Sequence, residues 1–343
     1  MAKQYIRLLK IALFLILGLL ILWWITKGQD LQKLAREFRE AKYFWVLVAA
    51  VLAILSHYAR TLRWQVLIRT LGYNPTRSDT FRAVMSGYLA NMIVPRMGEI
   101  SKCAVLSKSS KIPFNSLAGT MIAERVFDLV TLAVLLFFTF LFQFQFLKDF
   151  LFNFLVGPAS ENQLRPKILI LAGAIIFAVL GFLLALKIYR RIKHSQPGSF
   201  WNKVKIQMEG LVRGVKTLWK TDAKLMFLAY TFLIWFLYLA VVYVVFLAIE
   251  STSHLDVSAG ITLLAIGSLG FLVPVPGGIG AYHFVTIASL TQLYGIGQEP
   301  ATSYAYISHA MQMLSIIVAA AGLWLVVALK TKKQNNSHTQ SVI

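Results

Sequence analysis

The sequence predicts an all-α polytopic membrane protein, and two observations carry that prediction. Of the 343 residues, 58% are hydrophobic, and the mean hydropathy is +0.67. The apolar residues also occur in blocks near or above the roughly 20 residues that a helix needs to cross a bilayer. Backbone groups inside lipid must satisfy their own hydrogen bonds, so spanning segments of this length are predicted to be helices.

Six apolar blocks are predicted to be full crossings: 11–26, 44–67, 117–147, 167–189, 224–249 and 301–329. Two further apolar segments, 81–106 and 258–296, are interrupted near their middles by Pro and Gly. A broken segment at membrane depth needs protein or water to bond its free backbone groups. We therefore predict two re-entrant hairpins that line a cavity, with pairs of short spans joined by loops as the alternative.

The distribution of Lys and Arg predicts the orientation, because these residues concentrate in short cytoplasmic loops. The segment 187–224 contains ten Lys and Arg residues, so the loop 190–223 is predicted to be cytoplasmic. Basic residues near both ends place the N-terminus and the tail 331–343 on the same side. The basic segment 27–42 lies outside in this topology, and its helical period predicts an amphipathic surface helix. We expect the protein in the bacterial cytoplasmic (inner) membrane.

The order of segments predicts an internal repeat within a single transmembrane domain, 1–343. Each half, 1–147 and 165–330, has two spans, then a broken hairpin, then one long span. The first half begins inside and the second outside, which is typical of an inverted repeat. Folds of this kind place the substrate site between the repeats, near the bilayer midplane.

The first broken segment contains polar residues that point to a binding site: Asn91, Arg96, Glu99 and Lys102. Ionisable groups inside a membrane are costly, and they usually have a function. We expect Arg96 and Lys102 to form an electropositive patch for a phosphate, with Glu99 orienting Arg96. The alternative is a buried ion pair that only fixes the hairpin.

A second cluster of charges lies near the start of the span 117–147. Glu124 and Asp128 are four residues apart and share a helix face, with Arg125 between them. We expect this charge network to include Arg60 or Arg63 of the preceding span. The alternative is a role for the two acids in moving a proton or binding substrate.

The second broken segment has a glycine-rich turn that allows exposed backbone amides. Gly277, Gly278 and Gly280 follow two prolines, and a helix is predicted from Ala281. The positive end of that helix, with the turn amides, could bind an anion at a point where an added Cβ would block it. His283, in the first turn, could contact a headgroup, or it could be a structural hydrogen-bond donor.

Four motifs in this order resemble the lysylphosphatidylglycerol synthase transmembrane-region family, also called flippase-like membrane proteins. They are Arg60-Thr61-Leu62-Arg63-Trp64, the segment from Asn91 to Glu99, Glu124-Arg125 with Asp128, and Pro276-Gly277-Gly278-Ile279-Gly280. The resemblance spans roughly 45–330. It implies handling of phospholipids or polyprenyl-linked lipids across bacterial and archaeal membranes.

The sequence departs from that family in two respects. Full synthases carry a soluble aminoacyl-transferase domain after the membrane region, whereas this chain ends thirteen residues after Lys330. We therefore expect no lysyl transfer. The family commonly has an acidic residue a few positions after the glycine-rich turn, and this sequence has His283 there. The difference predicts another headgroup or another form of energy coupling.

These observations predict a translocator for lipids with an anionic headgroup, rather than an enzyme. The alternatives are an intramembrane lipid-modifying enzyme and a proton-coupled transporter of small solutes. We expect anionic membrane lipids as partners, and a homo-oligomer or a separate lipid-modifying enzyme as further partners. The only cysteine, Cys103, leaves no thiolate metal site, and no cofactor or metal is expected. Nucleic-acid binding is not expected, because the basic residues lie in short loops.

The predicted topology can be tested by cysteine labelling at Ser195. In a Cys103→Ala background, Ser195→Cys is expected to react with an impermeant maleimide only after the membrane is permeabilised, because the basic loop is cytoplasmic. Labelling of intact cells would show the topology to be wrong.

Overall fold

The computed structural model describes residues 15–142 and 223–340, isolated positions between 187 and 199, and only the backbone beyond residue 325. The described chain is helical and contains no strand. Its helices are α1 (Leu15–Thr26), α2 (Leu31–Glu40), α3 (Tyr43–Arg69), α4 (Arg77–Ile93), α5 (Gly98–Ser110), α6 (Phe114–Phe142), α7 (Ala223–Phe246), α8 (Val257–Gly270), α9 (Ala281–Tyr294) and α10 (Gln298–Gln340).

Three of these helices are long and apolar enough to cross a bilayer, which confirms the predicted class of membrane protein. They are α3, α7 and the part of α10 from Gln298 to Leu325. Helix α6 has 29 residues and carries the charged group near its start. The predicted span 167–189 and most of the loop 190–223 lie outside the described residues. Helix α10 continues to Gln340, beyond the predicted end of its span.

The short helix α2 forms within the predicted amphipathic segment. It begins at Asp30, whose side chain accepts hydrogen bonds from the amides of Gln32 and Lys33. None of its residues is buried, and Leu31 is 70% exposed.

Both broken segments form helical hairpins. Helix α4 packs against α5, and α8 packs against α9. Side chains cap the first helix of each hairpin: Thr76 accepts from the amide of Asp79, and Asp256 accepts from the amide of Ala259. Entry of these hairpins into the membrane from one side stays a prediction.

The first hairpin closes through a direct contact between backbones. A Cβ on Gly98 would lie 2.5 Å from the carbonyl oxygen of Gly87, and a Cβ on Gly87 would lie 2.8 Å from that of Gly98. The side-chain oxygen of Asn91 accepts a hydrogen bond from the amide of Gly98 at 2.6 Å. Asn91 thus satisfies one of the free amides at the start of α5.

The breaks of the two hairpins also touch each other. Helix α4 contacts the turn Pro276–Gly278, and a Cβ on Gly277 would lie 3.9 Å from the Cα of Met92. The end of α4 and the break of the second hairpin, about 180 residues apart in the sequence, therefore meet in space.

Helices α3 and α7 form the main packing interface of the described chain. Small residues of α3, among them Ala49, Ala53 and Ala59, are buried at this interface. They pack against apolar side chains of α7 that include Val241 and Ile234. Small residues allow close approach of membrane helices, where van der Waals contact replaces the hydrophobic effect as the driving force.

The same order of long and short helices occurs twice along the described chain. A long helix, two short helices and a second long helix occur as α3 to α6 and again as α7 to α10. This order agrees with the predicted repeat, while the inversion and the single domain stay predictions. By contacts the chain forms two compact units, residues 1–136 with 218–343, and residues 137–217. The second unit lies largely outside the described residues.

The contact between α4 and α5 predicts the effect of adding one methyl group. Gly98→Ala is expected to lower the free energy of unfolding by about 1–3 kcal/mol or more, because the new Cβ would overlap backbone atoms. Gly119→Ala is the matched control, since nothing lies within 4 Å of its Cβ position on α6. Chemical unfolding in detergent measures both, and the control should be neutral or up to about 1 kcal/mol more stable. Equal stability of the two variants would contradict the close approach.

Candidate functional site

A network of ion pairs joins α3 to α6. The Nη2 atom of Arg60 donates to Glu124 Oε1 at 2.9 Å and to Asp128 Oδ2 at 2.7 Å. The Nη2 atom of Arg63 donates to Asp128 Oδ1 at 2.7 Å and to Glu124 Oε1 at 3.2 Å. Arg60 and Arg63 are three residues apart on α3, so they share one face of that helix. Glu124 and Asp128 are four residues apart on α6 and likewise share one face. The pairing predicted from the sequence is confirmed.

Lys102 adds a third helix to this network. Its Nζ donates to Glu124 Oε2 at 2.7 Å and lies 4.5 Å from the ring centroid of Trp64. The Trp64 indole nitrogen donates to Thr120 Oγ1 at 2.9 Å, which fixes the ring beneath the ammonium group. Helix α5 is thereby tied to both α3 and α6.

Burial explains why these charges occur as a set. The side chains of Arg63, Lys102 and Glu124 are 0%, 7% and 2% exposed. A charge removed from water needs a partner and further hydrogen bonds to offset its lost hydration. Arg60 meets part of that need by donating to the Tyr238 hydroxyl on α7 at 3.0 Å.

A small cavity, partly open to solvent, lies beside this network, and the space of about 310 Å³ within its outline includes open solvent. Its lining combines the first predicted cluster, without Arg96, with part of the second: Arg60, Val84, Gly87, Tyr88, Asn91, Gly98, Glu99, Lys102, Glu124 and Arg125. Val84, Gly87 and Tyr88 were not predicted from the sequence. They lie seven, four and three residues before Asn91, so the helical period of α4 places them on the same helix face as Asn91.

The ion pairs of Arg125 with Glu99 and Asp128 are the loosest contacts at the cavity. Arg125 Nε lies 3.5 Å from Glu99 Oε1, and Arg125 Nη1 lies 3.6 Å from Asp128 Oδ2. These separations exceed hydrogen-bond length. The Arg125 side chain is 41% exposed, whereas the other cations of the network are nearly buried.

Arg96 does not lie beside Glu99 and Lys102, where the sequence predicts it. It is exposed, it has a left-handed backbone conformation with φ of 64°, and it forms no hydrogen bond or ion pair with the described residues. The expected pairing of Glu99 with Arg96 is wrong, because the chain reverses at Arg96 and Glu99 lies against Arg125. The expected patch of Arg96 with Lys102 is likewise corrected, since Lys102 is bonded to Glu124.

The glycine-rich turn adopts positive φ angles, as its sequence predicts, but protein atoms fill the space around it. Gly277, Gly278 and Gly280 have φ of 59°, 79° and 82°. A Cβ on Gly278 would lie 2.7 Å from the ring of Phe271, and one on Gly280 would lie 2.5 Å from the carbonyl oxygen of Gly18. The expectation of an open approach for a ligand at Gly278 is corrected, since Phe271 occupies that space.

His283 caps the helix that follows the turn. Its Nδ1 accepts a hydrogen bond from the amide of Gly280 at 3.4 Å, and its ring centroid lies 4.6 Å from those of Tyr306 and His309. His309 contacts the turn too, with its Nε2 2.9 Å from the carbonyl oxygen of Gly277. None of these residues lines the cavity beside Glu124.

The residues that the structure describes contain no group of side chains arranged as metal ligands. No three His, Cys, Asp or Glu side chains among them are grouped so that they could hold an ion.

The family of the chain follows from a sequence comparison that covers most of its length. The family described as the lysylphosphatidylglycerol synthase TM region matches residues 7–322. The chain belongs to this family. The ion pairs between α3, α5 and α6 and both hairpin breaks lie within the matched residues.

Similar proteins include UPF0104 membrane proteins and a named glycosyltransferase. A UPF0104 membrane protein of Methanocaldococcus jannaschii is 31% identical over 39% of this chain and 40% of its own length. The glycosyltransferase AglD of Haloferax volcanii is 25% identical over 95% of this chain and 56% of its own length. A UPF0104 membrane protein of Methanothermobacter thermautotrophicus is 27% identical over 73% of this chain and 75% of its own.

The match thus spans about half the length of the first two relatives. No solved structure matches the chain significantly.

The network predicts a large cost for removing its central charge. Glu124→Gln is expected to lower the free energy of unfolding by about 3–5 kcal/mol, because Arg60, Arg63 and Lys102 would lose a shared buried partner. Glu40→Gln is the control, since its pair with Arg36 is 68–76% exposed and should be worth under about 1 kcal/mol. Unfolding in detergent compares the two. A cost for Glu124→Gln no larger than that of the control would rule out the network as a stabilising element.

Proposed function

We propose that this membrane protein moves lipids with an anionic headgroup across the bilayer, and that the cavity beside Glu124 receives the headgroup. The observation that carries the proposal is a cavity with cationic side chains inside a bundle of membrane helices. Arg60, Lys102 and Arg125 line it together. Arg and Lys are the usual ligands of phosphate groups in proteins, and Arg can form two parallel hydrogen bonds to one phosphate.

The hairpin that lines the cavity also exposes side chains that suit the apolar part of a lipid. Ile93 on α4 and Ile100 on α5 are 68% and 50% exposed. The same two helices carry Asn91 and Glu99 of the cavity lining. This arrangement would hold a headgroup among charges while its acyl or prenyl chains remain in the bilayer.

The arrangement of the carboxylates favours translocation over catalysis or proton transport. Glu124 is bonded to Arg60, Arg63 and Lys102, and Asp128 is bonded to both arginines. A general base or a proton carrier must gain a proton during its cycle. Both carboxylate oxygens of Glu124 already accept hydrogen bonds, Oε1 from Arg60 and Arg63 and Oε2 from Lys102, so neither is free to take up a proton.

The relatives support a lipid substrate and suggest a partner. AglD is named a glycosyltransferase, and the match covers 56% of its length. We infer that the part shared with this chain handles the lipid, and that a separate lipid-modifying enzyme works with this protein. An anionic phospholipid and a polyprenyl-linked lipid both meet this description.

The same relatives and the positive-inside rule support a proposal for the cellular location. These relatives are archaeal, and the family resemblance extends to bacteria. We propose a location in a prokaryotic cytoplasmic membrane with both termini in the cytoplasm, supported by the basic residues at the ends of the chain.

Reconstitution into liposomes tests the proposal. The wild-type protein is expected to move fluorescent phosphatidylglycerol between leaflets, as measured by loss of fluorescence after dithionite addition, without converting it to a product. Product formation would favour an enzyme. Neither transport nor product with anionic phospholipid and polyprenyl phosphate would refute the proposal.

One variant links this activity to the cavity. Arg125→Gln is expected to reduce the transport rate about tenfold or more, because a charge-assisted hydrogen bond to phosphate contributes about 1.5–3 kcal/mol. Its loose, half-exposed contacts should leave the fold intact. Arg82→Gln is the matched control, since Arg82 pairs with Asp79 at the start of α4 and does not line the cavity. Equal rates in the two variants would place the headgroup elsewhere.

A further inference from the structure

We infer that Glu99 is a built-in counter-ion of Arg125 that the headgroup phosphate replaces, and that Glu99 thereby sets the charge of the headgroup that the cavity accepts. The inference rests on the proposed function and assigns Glu99 a role in specificity. It concerns an exchange of partners at Arg125, and no covalent step is involved.

Arg125 differs from the other cations of the site in how it is held. Arg60, Arg63 and Lys102 each form at least one contact of 2.7 Å to a carboxylate oxygen. The contacts of Arg125, at 3.5 and 3.6 Å, are ion pairs without hydrogen-bond geometry. Arg125 is therefore the cation of the site that a phosphate can bind without breaking a short bond inside the network.

Both residues of the ion pair between Arg125 and Glu99 have a polar atom without a hydrogen bond. Glu99 Oε2 and Arg125 Nε are buried and have no hydrogen-bond partner. Buried polar atoms are nearly always bonded, so an exception calls for a ligand or a water. Both side chains line the cavity, so a phosphate that displaced Glu99 from its place 3.5 Å from Arg125 Nε could accept the hydrogen bond of that atom.

Glu99 keeps favourable surroundings for its carboxylate once it is displaced. It lies in the first turn of α5, where the positive end of the helix favours a carboxylate. Its side chain is 24% exposed, so water can reach it from the cavity. These two features lower the cost of exchanging Arg125 for another partner.

The count of charges relates Glu99 to the charge of the ligand. The described network contains four cations, Arg60, Arg63, Lys102 and Arg125, and three anions, Glu99, Glu124 and Asp128. Its formal net charge is therefore +1. A phosphodiester carries one negative charge and would bring the site to neutrality. A phosphomonoester, which carries close to two at neutral pH, would exceed it.

Binding of two short-chain lipids tests this role of Glu99. Dihexanoyl phosphatidylglycerol and dihexanoyl phosphatidic acid differ in phosphate charge, and calorimetry at pH 8 in detergent gives both dissociation constants. The wild-type protein is expected to prefer the phosphodiester. Glu99→Gln raises the net charge of the site by one, so it should bind the phosphomonoester about tenfold more tightly and the phosphodiester with a smaller gain.

Asp79→Asn is the matched control, because it removes one carboxylate from an ion pair that does not line the cavity. An equal shift in this control would mean that total charge, and not Glu99, sets the preference, which would overturn the inference. Unchanged constants in folded Glu99→Gln would also overturn it and leave the proposed function standing. Failure of the wild type to bind either lipid would instead remove the proposed function.

A variant that does not fold still leaves the inference testable. If Glu99→Gln loses its thermal transition, the wild-type preference alone decides. Equal or tighter binding of the phosphomonoester by the wild type would overturn the charge argument, and a preference for the phosphodiester supports it.

Discussion

The carboxylate of Glu124 is bonded to Arg60 and Arg63 of α3 and to Lys102 of α5, and it lies almost wholly out of water. Hydrocarbon cannot solvate any of these groups, so their mutual contacts replace hydration. That requirement fixes the positions of three helices relative to one another. The cavity lies where the helices that these contacts hold leave a gap, and its charged lining is therefore part of the framework of the fold.

Much of this framework could be predicted from the sequence, because helical spacing decides which side chains share a face. Arg60 and Arg63 on one helix, and Glu124 and Asp128 on another, could hardly avoid pairing once both were placed in a membrane. The two hairpins were predictable for a similar reason, since Pro and Gly interrupt apolar segments at 95–98 and 274–280. Both signals are local, and local signals can be read from a sequence.

Contacts that depend on how the chain turns could not be predicted in this way. Arg96 stands three residues before Glu99, which suggests a pair, but the left-handed backbone at Arg96 places the guanidinium at the surface. The ring that occupies the space beside Gly278 belongs to Phe271, seven residues away and directly after the end of α8. A glycine-rich turn has the same sequence whether it receives a ligand or an aromatic ring, so only the packing distinguishes the two.

The contact between Met92 and Gly277 has a mechanical consequence. A helix bends most readily where its backbone hydrogen bonds are interrupted, so each hairpin has its softest point at its break. Here the two soft points lie against each other, in the two halves of the predicted repeat. Deformation of either hairpin must change the space available to the other. In the part of the chain that the structure describes, bending at the break of the second hairpin is therefore coupled to the position of α4.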